Sequence, residues 1–373
     1  MADAEYTYLV QSDGYVSQKS SFKFSESSTI DITLAVATEN PNLDRSITAE
    51  WGNFRNGDNN LGITNAKTPY APEDTELLWA VKHGTGWAAA PGSPIMVDGD
   101  IYTYSGSTIR RLNSMTGEVV TEGTMVDKSS YSIVPMTYGD GMVFVGLSGG
   151  KIQAFNAKTL ESLWVYTDEL GGQPNCPLKV KNGYLYTGFW RSEESPANFV
   201  CLSITDEDPA RTDEEKTACW YWTTPGGYYW AGAYACEDYV LVGTDDGADG
   251  SKSMTGSLLM LDAKTGRLLD KWDGLCGDVR STICYDKATD AFCFTTKGGW
   301  FCSVKTGKTS DGWQLRTGSK WTLKLENGTS TAQAMSTSTP VVYNGRAYIG
   351  VRGTAQFSEY GGHSLTVVDL ASH

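Results

Sequence analysis

One unit recurs along this 373-residue chain: an apolar strand, a polar turn, a second apolar strand, then a segment resembling a strand, Asp/Asn-Ala-Lys-Thr-Gly and a strand ending in Trp. Copies begin at Ile109, Ile152, Leu258 and Phe301, and their turn threonines, Thr116, Thr159, Thr265 and Thr306, are 43, 106 and 41 residues apart. The long interval holds two units. The hidden one spans 177–224, with 198–204 and 218–223 as its third and fourth strands and an acidic insertion, 205–217, in place of the turn. A four-stranded sheet of 40 to 50 residues cannot bury both faces alone, but it can when copies stack around an axis. The repeat therefore predicts an all-β chain folded as a β-propeller of four-stranded blades. The 41 glycines and 12% aromatic content suit many short strands and tight turns.

Blades are expected to start near Pro94, Ile133, Pro177, Ala231, Ser281 and Thr339, which makes six visible. The last stops before its fourth strand, and the sequence Leu77-Leu-Trp-Ala-Val81 has the outer-strand pattern with no blade of its own. It is expected to complete the last blade and remove the exposed edges. The stop at His373 also leaves a seventh blade open in the full gene. Residues 1–50 read as a short N-terminal β segment, the remnant of a sandwich; 51–76 read as a linker rich in Asn, Gly and Pro, and 77–373 as the propeller.

The units Asn156-Ala-Lys-Thr159 to Trp164 and Asp262-Ala-Lys-Thr-Gly266 to Trp272 resemble the tryptophan-docking repeat of quinoprotein-like propellers, the pyrroloquinoline-quinone repeat family, over about residues 77–370. The resemblance implies that Trp79, Trp164, Trp220 and Trp272 pack between adjacent blades. Members of that family include quinone-dependent dehydrogenases, outer-membrane assembly scaffolds and surface proteins without known activity, so the fold does not choose a function. The opening Trp51-Gly-Asn-Phe-Arg55, with Asn59-Asn60-Leu-Gly62, also looks like the lead-in to propellers of large bacterial surface proteins.

A net charge of -14 repels phosphate backbones, so no nucleic-acid partner is expected. No apolar run of about 18 residues occurs, so no transmembrane segment is expected. The start, Met1-Ala-Asp-Ala-Glu5, lacks signal-peptide character, but it also fits a chain from which a leader was removed, so it does not argue against secretion. A quinone dehydrogenase of the alcohol-oxidising kind would carry a vicinal cysteine pair; none occurs, and no cofactor is expected. The eight cysteines form no Cys-x-x-Cys motif. Cys201 and Cys219 flank the acidic insertion on neighbouring strands, which suits a disulfide in an oxidising compartment; buried thiols packed as small hydrophobes fit the sequence equally well.

Gly146-Leu-Ser-Gly-Gly150 matches a nucleophile elbow, but it joins two strands and reads as a hairpin turn. Thr306-Gly-Lys-Thr309 reads as the blade turn again rather than a phosphate loop. Asp245, Asp246 and Asp249 offer hard oxygen ligands that could hold calcium, although the loop lacks the closing Glu of an EF-hand, so no metal is expected. Glu193-Glu194 and Asp206-Glu-Asp208 read as solvated loops.

Because strands alternate direction, loops leading into first strands and loops joining second to third strands share one face. That face collects Trp87, Tyr131, Tyr228, Tyr229, Trp230 and Arg280 from the first kind, and Trp190, Asp245, Phe357 and Tyr360 from the second. Aromatics beside a few polar groups make a contact surface. Candidate ligand-binding residues are therefore Trp87, Trp190, Tyr228, Tyr229, Trp230, Arg280, Phe357 and Tyr360. The reading is a monomeric, non-catalytic binding or scaffold module of a secreted or cell-surface bacterial protein, with a protein or polysaccharide ligand. The alternatives are a quinone-dependent oxidoreductase or glycan-cleaving enzyme, and a membrane-protein assembly scaffold.

Overall fold

In the computed structural model, each blade begins with a short strand near the axis and ends with a strand at the rim. The structure describes residues 4–12, 14–23, 29–84, 91–129, 136–212, 214–248, 255–325, 336–352 and 362–373. Blade 1 is Ile95–Val97, Asp100–Ser105, Thr108–Asn113 and Val119–Thr124; blade 2 is Thr137–Gly139, Met142–Leu147, Lys151–Asn156 and Ser162–Thr167. Blade 3 is Lys179–Lys181, Tyr184–Gly188, Ala197–Ser203 and Ala218–Thr224; blade 4 is Tyr234–Ala235, Tyr239–Thr244, Thr255–Asp262 and Leu268–Cys276. Blade 5 is Cys284–Asp286, Ala291–Thr296, Trp300–Val304 and Trp321–Lys324, and blade 6 is Val341–Tyr343, Arg346–Arg352 and Gly362–Asp369. Within each blade, successive strands pair antiparallel.

The core is divided among the blade interfaces. Five apolar clusters are described, one between each consecutive pair of blades; Phe144, Trp164, Leu185 and Val200, for instance, join blades 2 and 3. A strand buried on both faces needs apolar side chains on both, and Tyr239–Thr244 and Ala291–Thr296 are buried throughout.

The recurring turn has a local physical cause. The Oδ1 atoms of Asn113, Asn156 and Asp262 accept hydrogen bonds from the backbone two and three residues on, at 2.8–3.2 Å, which closes each turn. The residue after the Thr is left-handed: Gly117 at φ 72°, Leu160 at 57° and Gly266 at 68°. The rim Trp of the preceding blade lies on this turn or, in blade 3, on the residue that stands in its place. Trp79 Nε1 donates to Ser114 O at 2.9 Å, Trp164 Nε1 to Ile204 O at 3.3 Å and Trp220 Nε1 to Ala263 O at 3.0 Å. A Cβ on Gly117 or Gly266 would come within 2.6 Å of the Trp79 or Trp220 ring; before Leu160 the position is held by Thr121, whose hydroxyl donates to Thr159 O. Trp272 stands two residues past this register and meets the next blade differently, edge-on to Phe294 at 6.0 Å.

Several details differ from expectation. The insertion at 205–217 is not a solvated loop: Glu214–Lys216 adds a fifth, parallel strand to the rim of blade 2, Asp206 is buried and accepts from Asn40 Nδ2 at 2.6 Å, and buried Lys216 pairs with Glu207 and Glu214. Thr306–Thr309 is a strand of an added hairpin with Gly312–Leu315, so the rim strand of blade 5 is the later Trp321–Lys324. Leu77–Val81 is irregular and does not pair with Gly362–Asp369, leaving blade 6 with three strands among the described residues; Trp79 nevertheless docks on blade 1 as a rim Trp of a preceding blade would.

Residues 52–62, within the stretch read as a linker, touch the axial ends of successive blades. Ala49–Trp51 pairs with Ile95–Val97 of blade 1, and Gly52 O accepts from Tyr138 N of blade 2 at 2.7 Å. Lys179 of blade 3 donates to Gly57 O, Asp58 O and Asn60 Oδ1. Asn60 Nδ2 donates to Ala233 O and Ile283 O ahead of blades 4 and 5, and Arg55 Nη2 to Thr339 O ahead of blade 6. One short segment reaching all six blades shows that they surround a common axis, which it plugs.

Candidate functional site

Three loops from the face predicted by strand alternation meet between blades 3, 4 and 5. Trp190 comes from the second-to-third loop of blade 3, Tyr229 and Trp230 from the loop into blade 4, and Arg280 from the loop into blade 5. The rings of Trp190 and Tyr229 stack at 4.5 Å, and those of Tyr229 and Trp230 at 4.2 Å. Trp230 is left-handed at φ 58°, a costly conformation for a bulky side chain that its surroundings must hold. Trp190 Nε1 is buried without a hydrogen-bond acceptor among the described residues.

Arg280 lies beneath this stack, 1% exposed, with its guanidinium 4.7 Å from the Tyr229 ring centre. Its Nε and Nη2 bond both oxygens of Asp245, at 3.2 and 2.5 Å, and Nη2 also reaches Glu193 at 2.5 Å and Asp278 at 3.3 Å. Lys297 approaches Asp278 at 3.5 Å and Glu193 at 4.0 Å. Burial pushes the Asp245 carboxyl up, to about 8, against the pull of Arg280. The carboxylate oxygens of Glu193, Asp245 and Asp278 lie within 4.8 Å of one another, the spacing of a cation site, and the guanidinium bonds all three. The cluster therefore already holds its counter-charge.

This geometry rearranges the predicted set. Trp190, Tyr229, Trp230, Arg280 and Asp245 converge, but Arg280 is buried support for the aromatic stack rather than an exposed contact. Tyr228 points the other way into the core, fully buried, its hydroxyl donating to Trp222 O at 3.1 Å, because Gly188 leaves room only for a ring against its Cα. Asp246 turns from Asp245 to accept from Ala248 N and Thr255 N, so the two do not converge on one ion. Trp87, Tyr131, Asp249, Phe357 and Tyr360 lie outside the described residues. Cys201 and Cys219 are free thiols. Glu193, read as part of a solvated loop, instead pairs with Arg280 87 positions away, and Asp278, two residues before Arg280, was missed; the one available signal was a lone Arg on an otherwise aromatic and acidic face.

Structural comparison places this architecture among known propellers. The quinohemoprotein alcohol dehydrogenase of Comamonas testosteroni superposes with a TM-score of 0.58 at 14% identity, over 83% of this chain and 58% of that one. A europium-containing methanol dehydrogenase superposes at 0.56 and 12% identity, over 80% of this chain and 68% of that one. In sequence, residues 68–185 match the family described as outer membrane protein assembly factor BamB. The chain folds as a β-propeller, and the family match covers residues 68–185 of it. This propeller spans less than two thirds of the alcohol dehydrogenase's length, and at such low identity the two share the fold alone. No curated protein matches the propeller in sequence. No helix among the described residues is long and apolar enough to cross a membrane.

Proposed function

We propose that this propeller is a non-catalytic binding module of a secreted or cell-surface bacterial protein, and that it recognises a protein or polysaccharide through the face bearing Trp190, Tyr229 and Trp230. The observation that carries the reading is the aromatic stack itself. Its rings are half-buried, and one is held in a costly backbone conformation. Flat, half-buried aromatic area suits a ligand offering an apolar face, such as a sugar ring or a peptide. The acidic chain favours a neutral or basic partner. The carboxylates beneath, buried Asp245 and Asp278 and half-buried Glu193, are committed to Arg280, which leaves the site poor in free acid or base.

The test is a binding screen of the full chain against neutral polysaccharides, cell-wall fragments and basic proteins, followed by titration of any hit with Trp190→Ala and Tyr229→Ala. The expected result is a loss of at least about tenfold in affinity for either variant. Unchanged affinity in both would place binding elsewhere. The sequence match to the assembly-factor family favours a second reading, a scaffold for membrane proteins; capture of extended peptides unaffected by both substitutions would select it. Stoichiometric retention of a quinone with calcium, read by native mass spectrometry, would instead select the oxidoreductase.

A further inference from the structure

In four blades the third and fourth strands carry the same irregularity, one residue facing two. Arg111 faces Val120 and Thr121, Ala154 faces Leu163 and Trp164, Cys201 faces Cys219 and Trp220, and Met260 faces Leu269 and Asp270. Such a bulge sets the extra residue and its neighbour opposite a single side chain, so residues that would otherwise be offset are brought together. In blade 3 alone among these four, the facing residue and the extra residue are both cysteine.

We propose that Cys201 and Cys219 are a disulfide site, a staple between the third and fourth strands of blade 3. Cys219 is the accessible member: it is half-buried and lines a cleft of about 420 Å³ between the N-terminal segment and blade 3, together with Tyr184, Glu207 and Lys264. Cys201 is buried behind it. Interaction with the Cys201 thiol, aided by Lys216, holds Cys219 below the usual thiol range, and burial pushes Cys201 up, which assigns Cys219 as the first nucleophile. With oxidised glutathione as oxidant, the Cys219 thiolate attacks one sulfur and releases one glutathione thiolate. Cys201 then loses its proton and displaces the second. The protein gives up two protons and two electrons and gains one S–S bond, while the glutathione disulfide takes the electrons and leaves as two thiols.

The molecule contains its own controls. Cys284 and Cys293 also face each other across paired strands, but both are fully buried with no path for an oxidant. Cys276 is exposed but faces Thr255. The full chain is treated with oxidised glutathione, blocked with N-ethylmaleimide in denaturant and digested with trypsin without reduction. Cleavage at Arg211 and Lys216 separates the two cysteines, so a link joins two peptides in the mass spectrum. The expected product is that linked pair in most chains, with Cys284 and Cys293 carrying the maleimide. Dithiothreitol should remove the link, and Cys219→Ser should lack it while keeping the wild-type circular dichroism spectrum. Glutathione or maleimide on Cys219 with no link to Cys201 would overturn the proposal. So would oxidation of Cys284 and Cys293 at the same rate, because unfolding rather than geometry would then select the pair.

Discussion

Trp220 lies so close to Gly266 that a methyl group on the glycine would sit 2.6 Å from the ring, and the indole N–H reaches Ala263 O of the same turn at 3.0 Å. The rim strand of blade 3 and the turn of blade 4 are thus fitted to each other, as Trp79 is to Gly117. Gly266→Ala must accommodate both the clash and a left-handed backbone, and it is expected to destabilise the fold by about 2 kcal/mol or more. Trp220→Ala removes the clash but not the backbone strain. Urea unfolding of both variants and the double variant is expected to show a double-variant loss smaller than the sum of the singles; additive losses would mean that the two residues do not interact.

Arg280 stands between three carboxylates. Arg280→Met leaves Glu193, Asp245 and Asp278 facing one another with Lys297 alone, a loss of about 3–5 kcal/mol. With the guanidinium gone, the Asp245 carboxyl, which burial already raises, moves further above its unfolded value. The folded variant therefore holds extra protons, and its stability falls as pH rises. Melts at pH 5 and pH 8 are expected to show the larger deficit at pH 8; equal deficits would argue that lost packing, not charge, sets the cost.

Lys179 is buried at the axis, and burial lowers its pKa from the ordinary 10.5 to about 8. Below pH 8 both folded and unfolded chains carry the proton. Between 8 and 10.5 the unfolded chain binds more, so stability rises with pH, by at most about 3 kcal/mol. Unfolding free energies of wild type minus Lys179→Met, measured from pH 7.5 to 10, are expected to increase; a flat difference would show that Lys179 keeps an ordinary pKa in the fold.

The axial plug depends on Asn60, whose amide donates to two carbonyls from different blades. Asn60→Ala leaves both without that donor, a cost of about 1–3 kcal/mol. Because the loss is local to residues 52–62, trypsin is expected to cut at Arg55 faster in the variant while cleavage elsewhere stays unchanged.

The blades were legible because a repeat is a statement about local structure made several times over. Apolar strands, the Asn or Asp that closes a turn and the Gly that follows it are each dictated within about ten residues. The same locality explains the errors. Thr306–Thr309 has the letters of the blade turn but pairs with Gly312–Leu315, and the acidic run 205–217 looks solvated until Asn40 and the rim of blade 2 supply its partners. Strand alternation placed Trp190, Tyr229 and Arg280 on one face, since direction reverses at every turn whatever the sequence. Which of them faces outward was not legible. Tyr228 and Tyr229 are adjacent and alike, and only the space above Gly188 and the position of Arg280 send one ring inward and the other into the stack.

The sequence by itself determined the strand repeat, its turn chemistry and hence a propeller, because hydrophobic periodicity and turn propensity act along the chain. The tertiary structure decided what those strands are held by: the plug through the axis, the carboxylates around Arg280, and the bulge that sets Cys201 against Cys219. Each joins residues from separate strands or blades, where burial removes water and makes an unpaired polar group costly. Their partners are chosen by proximity in space, which no local pattern records.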